Sequence, residues 1–250
     1  MNVLILAAGY ATRLYPLTLN KAKPLLEVAG KPMIEWVVDS LSGVDGIETV
    51  YIVTNSKFAH DFEAWSAQYR ARCPKFAFKI VNDGSTSDSD KLGAIGDINL
   101  VLAREQIQMT DLLIVAGDNL FSDPLDDFVA KVRGTKAAVA LYDVGDLEAI
   151  KKYNNTTLAA DGTITAFEEK PAKPQNTLTA IALYYYSPEV LAMLPTYIAA
   201  GNNPDQPGRF IQWLYPRTPV NTVQLHGTWF DIGSKETLEE ANRVFANFVK

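Results

Sequence analysis

The run Val3-Leu4-Ile5-Leu6-Ala7-Ala8-Gly9-Tyr10-Ala11-Thr12-Arg13 decides how the chain reads. Val3 to Leu6 is short and wholly apolar, as expected of a strand buried on both faces of a parallel sheet. At Ala7-Ala8-Gly9 the side chains shrink, and such a turn lets a ligand approach backbone N–H groups closely. Cations follow in Arg13, Lys21 and Lys23. An arginine fork and lysine point charges suit a polyphosphate, the first by paired hydrogen bonds and the second by charge. Gly9 alone decides little, because strand-to-helix turns with solvated cations are common.

Outward from this stretch, apolar runs alternate with helical periodicity. Thr49 to Thr54, Phe76 to Val81, Leu112 to Ala116 and Ala137 to Leu141 repeat the buried-strand pattern. Between them, Ile34, Val37, Val38 and Leu41 recur at helical spacing after Pro32, and the stretches Lys57 to Ala71 and Leu92 to Glu105 read likewise. The order implies right-handed crossovers and a doubly wound, mostly parallel, Rossmann-like α/β sheet, which binds ligands beyond the carboxyl ends of its strands. The second half is more mixed. Thr156 to Ala160 and Ile164 to Phe167 flank Asp161-Gly162, a hairpin signal, so a small, partly antiparallel substrate lobe is expected. A strand over Ala180 to Tyr186 precedes a helix starting near Pro188, and Leu238, Ala241, Phe245 and Phe248 form an apolar stripe on a last helix after Gly233-Ser234. A single domain over 1–250 is expected, with a mainly nucleotide-binding part (1–145), a mainly acceptor-binding part (146–233) and a C-terminal helix (234–250).

Composition narrows the classes. The 250 residues, 48% hydrophobic and 21% charged, are those of a globular domain with a sizeable core. Cys73 is the only cysteine, so no internal disulfide forms, and with His60 and His226 it cannot complete a four-ligand zinc site. A reducing cytoplasm suits such a chain. No apolar run reaches the ~20 residues that span a bilayer, so no membrane role is expected. A formal net charge of -6 disfavours nucleic acid, whose binding needs Lys and Arg to replace counterions. Yet from Met1 to Lys31 four basic side chains stand against Glu27 alone, a patch fit for a small polyanion.

Four strings together point to a family. GYATRLYPLT (9–18) followed by KPLLEVAGKPMIEW (23–36), VAGDN (115–119), FEEKP (167–171) and WFDIG (229–233) resemble, in order and rough spacing, the motifs of sugar-phosphate nucleotidylyltransferases. These nucleotide-sugar pyrophosphorylases include glucose-1-phosphate thymidylyl- and uridylyltransferases. The resemblance covers nearly the whole chain and implies their α/β fold and their reaction, in which a nucleoside triphosphate and a sugar 1-phosphate give an NDP-sugar and pyrophosphate.

It also implies roles. Leu6, Ala7, Ala8 and Gly9 line the nucleotide; Arg13 binds the β- and γ-phosphates, and Lys23 neutralises the phosphoryl group under attack. Asp118 and Asp231 hold Mg2+, a hard ion that relieves the repulsion of two converging carboxylates. Glu169 accepts hydrogen bonds from sugar hydroxyls, and Lys170 contacts the sugar phosphate. Asn82 and the backbone near Gly93 face the base, in a loop that departs from better-known versions and leaves base identity open. Asn154 stands where relatives using glucose 1-phosphate often have Gly after a Tyr, here Tyr153, which narrows the sugar site. The last expected helix closes this sequence, and the acyltransferase repeats that some relatives carry are not expected. An oligomer of identical chains is left open. Other readings are a CTP-dependent cytidylyltransferase acting on phosphocholine or a phosphonate, and a non-catalytic nucleotide-sugar sensor. A dinucleotide-binding oxidoreductase ranks last, since G-x-G-x-x-G is missing. His60 and His226 are isolated, and Tyr184-Tyr185-Tyr186 reads as strand packing.

Overall fold

The computed structural model describes residues 1–249. In chain order its elements begin β1 (Asn2–Leu6), β2 (Glu27–Val28), β3 (Lys31–Pro32), α1 (Met33–Ser40), β4 (Val50–Thr54), α2 (Ala59–Arg72) and β5 (Phe78–Asn82). Next come α3 (Ala94–Glu105), β6 (Leu112–Ala116), β7 (Asn119–Phe121), α4 (Asp126–Val132), β8 (Ala137–Asp143), α5 (Leu147–Ile150), β9 (Asn154–Leu158) and β10 (Ile164–Glu169). The chain continues through β11 (Leu178–Tyr186), α6 (Pro188–Leu191), α7 (Leu194–Ala199), α8 (Pro207–Leu214), β12 (Val220–Gln224), β13 (Trp229–Asp231) and α9 (Lys235–Phe245). Two compact units share these elements: residues 1–92, 115–126 and from Gly227 on form one, residues 93–114 and 127–226 the other. Both are discontinuous in sequence, unlike the consecutive stretches 1–145 and 146–233.

The first unit carries the strand order β6-β1-β4-β5, with β6 supplying its last two residues. β1 and β4 run parallel in register from Val3 opposite Val50 to Leu6 opposite Val53, and β4 and β5 are parallel from Val50 opposite Phe78 to Thr54 opposite Asn82. All five residues of β4 are buried, as its unbroken apolar pattern requires. A second hydrophobic cluster unites Leu14, Leu26, Val28, Met33, Trp36, Leu120, Ile232, Leu238, Ala241 and Phe245. It welds the loop after β1, helix α1, the short strand β7 and helix α9 into one packed layer. α9 starts as expected at Ser234, whose Oγ accepts from Thr237 N while Thr237 Oγ1 accepts from Ser234 N, a reciprocal cap.

In the second unit the order is β12-β8-β11-β6, with β8 parallel to β12 and antiparallel to β11. β9 and β10 form the expected antiparallel pair, closed at Asp161, which accepts from the N–H and hydroxyl of Thr163. Tyr184, Tyr185 and Tyr186 are buried in β11, with Tyr186 packed edge-on against Phe210. The expected α/β class, with a mostly parallel sheet and small antiparallel sheets, is therefore present.

One packing expectation fails. Phe248 is 41% exposed, although Leu238, Ala241 and Phe245 of the same stripe are buried. α9 ends at Phe245 and the chain tightens into a 3-10 turn over Ala246–Phe248. With three residues per turn Phe248 stays over Phe245, their ring centroids 5.5 Å apart, but it lies past the end of α9 and keeps its outer side in solvent. Phe245→Ala is accordingly expected to destabilise the protein by about 3–5 kcal/mol, and Phe248→Ala by under about 1 kcal/mol, in urea unfolding followed by circular dichroism.

Candidate functional site

In the first unit, β1 delivers the small-residue turn to the end of the parallel strands. Ala7 N donates to Val53 O at 2.9 Å, and Asn55 Nδ2 to Ala8 O at 2.9 Å, so the turn is pinned to the end of β4 and Gly9 is left exposed. Ala11 then adopts a left-handed conformation (φ 48°), its carbonyl accepting from Leu14 N and Thr18 Oγ1. This turn starts the 3-10 helix Thr12–Leu14, in which Leu14 is buried in the hydrophobic cluster and its neighbour Arg13 is exposed. The arginine is thus fixed through its backbone while its guanidinium faces solvent.

Asp118 and Asp231 reach the same place on a device too short to read from periodicity. β7 and β13 pair antiparallel, with Asp231 opposite Asn119, and Ile232 N donates to Asp118 O at 3.2 Å. Asn119 supports this corner. Its Nδ2 donates to Asp118 Oδ1 at 3.1 Å, and its Oδ1 accepts from Trp229 Nε1 at 2.8 Å. Leu120 and Ile232, both fully buried, anchor the two strands. Lys23 follows from the 3-10 helix Lys23–Leu25, seated by buried Pro24 and Leu25. Its Nζ makes an ion pair with Asp118 Oδ2 and donates to Ile232 O.

Burial, and then the Asp118 charge, push the Asp231 carboxyl up to about 6 against the opposing pull of Lys23 and Arg13. Each group in that balance is one that the motifs singled out. Two converging carboxylates of which one resists ionisation make a donor set for a hard cation, and Mg2+ needs only one or two carboxylates when water and substrate phosphates complete its shell. Among the described residues no cluster of three or more His, Cys, Asp or Glu side chains forms a self-sufficient metal cage. Asn82 ends β5, and its Oδ1 accepts from Gly84 N and Ser56 Oγ, which shapes the following turn. His60 and His226 are exposed and take no part.

The second unit holds the remaining predicted residues, Gly93, Asn154, Glu169 and Lys170. Asn154 lies opposite Glu169 in the β9–β10 register, and Lys170 N donates to Tyr153 O at 2.7 Å with Lys170 itself at φ 48°. Asn154, however, is buried and largely committed. Its Nδ2 donates to Ala180 O at 2.8 Å and its Oδ1 accepts from Ala180 N at 2.7 Å, so the amide imitates a strand partner and braces β9 on β11. At most one N–H is left for a ligand. Gly93 caps α3 at φ 78°, and a Cβ there would lie 2.7 Å from Asp205 Cα and from Pro204 O; only glycine fits.

Two residues absent from the sequence reading join Glu169. A Cβ on Gly208 would lie 2.4 Å from Glu169 Oε1, so the carboxylate occupies the space that the glycine leaves at the start of α8. Burial pushes the Glu169 carboxyl up, opposed first by Arg209 and then by Lys170. Neither Gly208 nor Arg209 lies in a string that resembles a motif.

A family model described as nucleotidyl transferase matches residues 2–247. The bifunctional protein GlmU of Methanocaldococcus jannaschii is 25% identical over 97% of the chain and 54% of its own length. The UTP–glucose-1-phosphate uridylyltransferase AglF of Haloferax volcanii is 26% identical over 97% of the chain and 96% of its own. The chain thus spans about half the length of GlmU-type relatives and nearly all of AglF. A solved UDP-glucose pyrophosphorylase bound to UDP-glucose superposes with a TM-score of 0.82 at 23% identity, covering 98% of both chains, a likeness of fold. With its model matched from the first strand to the last helix, the chain belongs to the nucleotidyl transferase family.

Proposed function

We propose that the protein transfers a nucleotidyl group from a nucleoside triphosphate to a sugar 1-phosphate, releasing pyrophosphate. The reading rests above all on the cluster of Lys23, Asp118 and Asp231 with Arg13 beside it. A pure binding protein has little need to hold two carboxylates against their own repulsion, whereas phosphoryl chemistry needs charge neutralisation and positioning. The relative AglF, named as a uridylyltransferase of glucose 1-phosphate, supports a sugar acceptor.

The acceptor phosphate is already an anion at neutral pH, so its attack on the α-phosphorus needs no protein nucleophile. Leu6 to Gly9 approach the nucleotide through the backbone, Arg13 binds the β- and γ-phosphates, and Lys23 neutralises the phosphoryl group under attack. Asn82, at the end of β5, is assigned to the base. Glu169 accepts from acceptor hydroxyls, Lys170 holds the acceptor phosphate, and Asn154 narrows the acceptor site mainly by shape. Asp118 and Asp231 would hold Mg2+, which would supply charge neutralisation for the phosphates. The exposed, lone Cys73 suits a reducing cytoplasm.

Pyrophosphate release measured with Mg2+ over a matrix of nucleoside triphosphates and sugar 1-phosphates, with phosphocholine included, is expected to give one dominant combination. Activity with CTP and phosphocholine alone replaces the sugar by a choline acceptor, and silence from folded protein overturns catalysis. In the active combination, Lys23→Ala or Asp118→Ala is expected to lower turnover on the order of 100-fold. Asp231→Asn should lose activity similarly yet raise Tm by about 3 °C in differential scanning calorimetry, because it removes a half-buried charge facing Asp118. An unchanged or lower Tm contradicts that electrostatic account. Gly208→Ala displaces the flexible end of Glu169 and presses lightly on the Phe167 ring, 3.3 Å from the new Cβ, so the fold should persist while the KM for the acceptor rises about tenfold and that for the nucleotide stays constant.

A further inference from the structure

We propose that Tyr10, Ser85 and Asp83 form a hydrogen-bonded linkage that clamps the small-residue nucleotide loop to the loop after β5, which makes Tyr10 a positioning residue for the nucleoside triphosphate. The proposal builds on the functional reading above. Tyr10 lies between Gly9 and Ala11, yet its side chain is only 6% exposed while Gly9 and Thr12 are open to solvent. Its hydroxyl lies 3.3 Å from Ser85 Oγ. Ser85 and Asp83 are buried as well, and Ser85 Oγ is 2.8 and 2.9 Å from the two Asp83 carboxylate oxygens, while Ser85 N donates to Oδ1 at 2.7 Å.

Proton counting sets the direction of this chain. An ionised carboxylate only accepts, so the single Ser85 hydroxyl proton goes to Asp83, and Ser85 Oγ is left to accept from the Tyr10 O–H. Burial, and the nearby Asp83, Asp90 and Asp88 charges against the Ser85 bond, push the Tyr10 phenol above its ordinary value, so it keeps the proton it donates.

The linkage closes a ring. On one side Asn55 Nδ2 holds Ala8 O, and on the other Asp83 N donates to Thr54 O at 2.8 Å and Ser56 N to Ser85 O at 3.0 Å. Both loops therefore hang from one stretch at the end of β4, the first from Val53 and Asn55 and the second from Thr54 and Ser56, and Tyr10 to Ser85 joins their outer sides. Asn82, assigned to the base, shares this frame through Ser56 Oγ. A displacement of the phosphate-binding turn is thereby passed to the base-facing loop.

Tyr10→Phe keeps the ring and removes only the donor; Ser85→Ala removes the relay. Each is expected to raise the KM for the nucleotide about three- to tenfold with kcat and the acceptor KM unchanged, and the double variant to cost no more than either single one. Discrimination between the best and second-best nucleotide should fall by a similar factor. In hydrogen–deuterium exchange on the ligand-free protein, both variants should speed exchange over residues 84–87. An unaltered nucleotide KM in an active enzyme, additive effects, or losses confined to kcat or the acceptor KM overturn the proposal. If the wild-type protein releases no pyrophosphate, the functional reading falls and exchange still decides the linkage: faster exchange in Tyr10→Phe upholds it, and unchanged exchange overturns it.

Discussion

The ion pair between Lys23 and Asp118, with Asp231 held beside it, is the constraint around which the first unit is arranged. Three charged side chains from segments far apart in sequence cannot share a half-buried corner unless each backbone is anchored independently, because repulsion between the carboxylates and the entropy of a long lysine both oppose it. The anchors are apolar. Pro24 and Leu25 stand immediately after Lys23, Leu120 two residues after Asp118, Ile232 directly after Asp231 and Leu14 directly after Arg13, and each of these five is buried. Hydrophobic burial thus holds in place an electrostatic arrangement that is unfavourable on its own.

Arg13, Lys23, Asp118 and Asp231 stand out in the sequence through the strings that resemble the family's motifs, since a charged residue beside an apolar one is too common to single them out. What was not legible is the means of convergence. β7 and β13 have three residues each, too few to show a period of two, and their pairing joins positions more than 100 residues apart. Gly208 and Arg209 escaped notice for a related reason: they lie at the start of α8, where Gly-Arg carries no pattern, and matter only because Glu169 packs there.

Asn154 shows the opposite difficulty. A polar side chain following Tyr153, in a segment thought to face a sugar, invites a ligand role. Its amide instead pairs with both backbone groups of Ala180, which substitutes for a ladder contact between β9 and β11. Asn155 does similar work: its Nδ2 donates to Asn176 O and Leu178 O, and its Oδ1 accepts from Gln175 N. Asparagine offers a donor and an acceptor at the spacing of a peptide group, and sequence does not distinguish an amide that completes a sheet from one that awaits a ligand.

Charge balance separates the two units' chemistry. In the first, Asp118 and Asp231 are matched by Lys23 and Arg13, so engaging Arg13 and Lys23 with the phosphates of a triphosphate leaves the carboxylates uncompensated. A divalent cation would restore neutrality there. In the second, Glu169 alone faces Arg209 and Lys170, an excess of positive charge suited to an anion that also offers hydroxyls. On the proposed reading, the first balance corresponds to a triphosphate accompanied by a divalent cation and the second to a phosphorylated polyol, whose single phosphate meets the excess positive charge of Arg209 and Lys170 while its hydroxyls face Glu169.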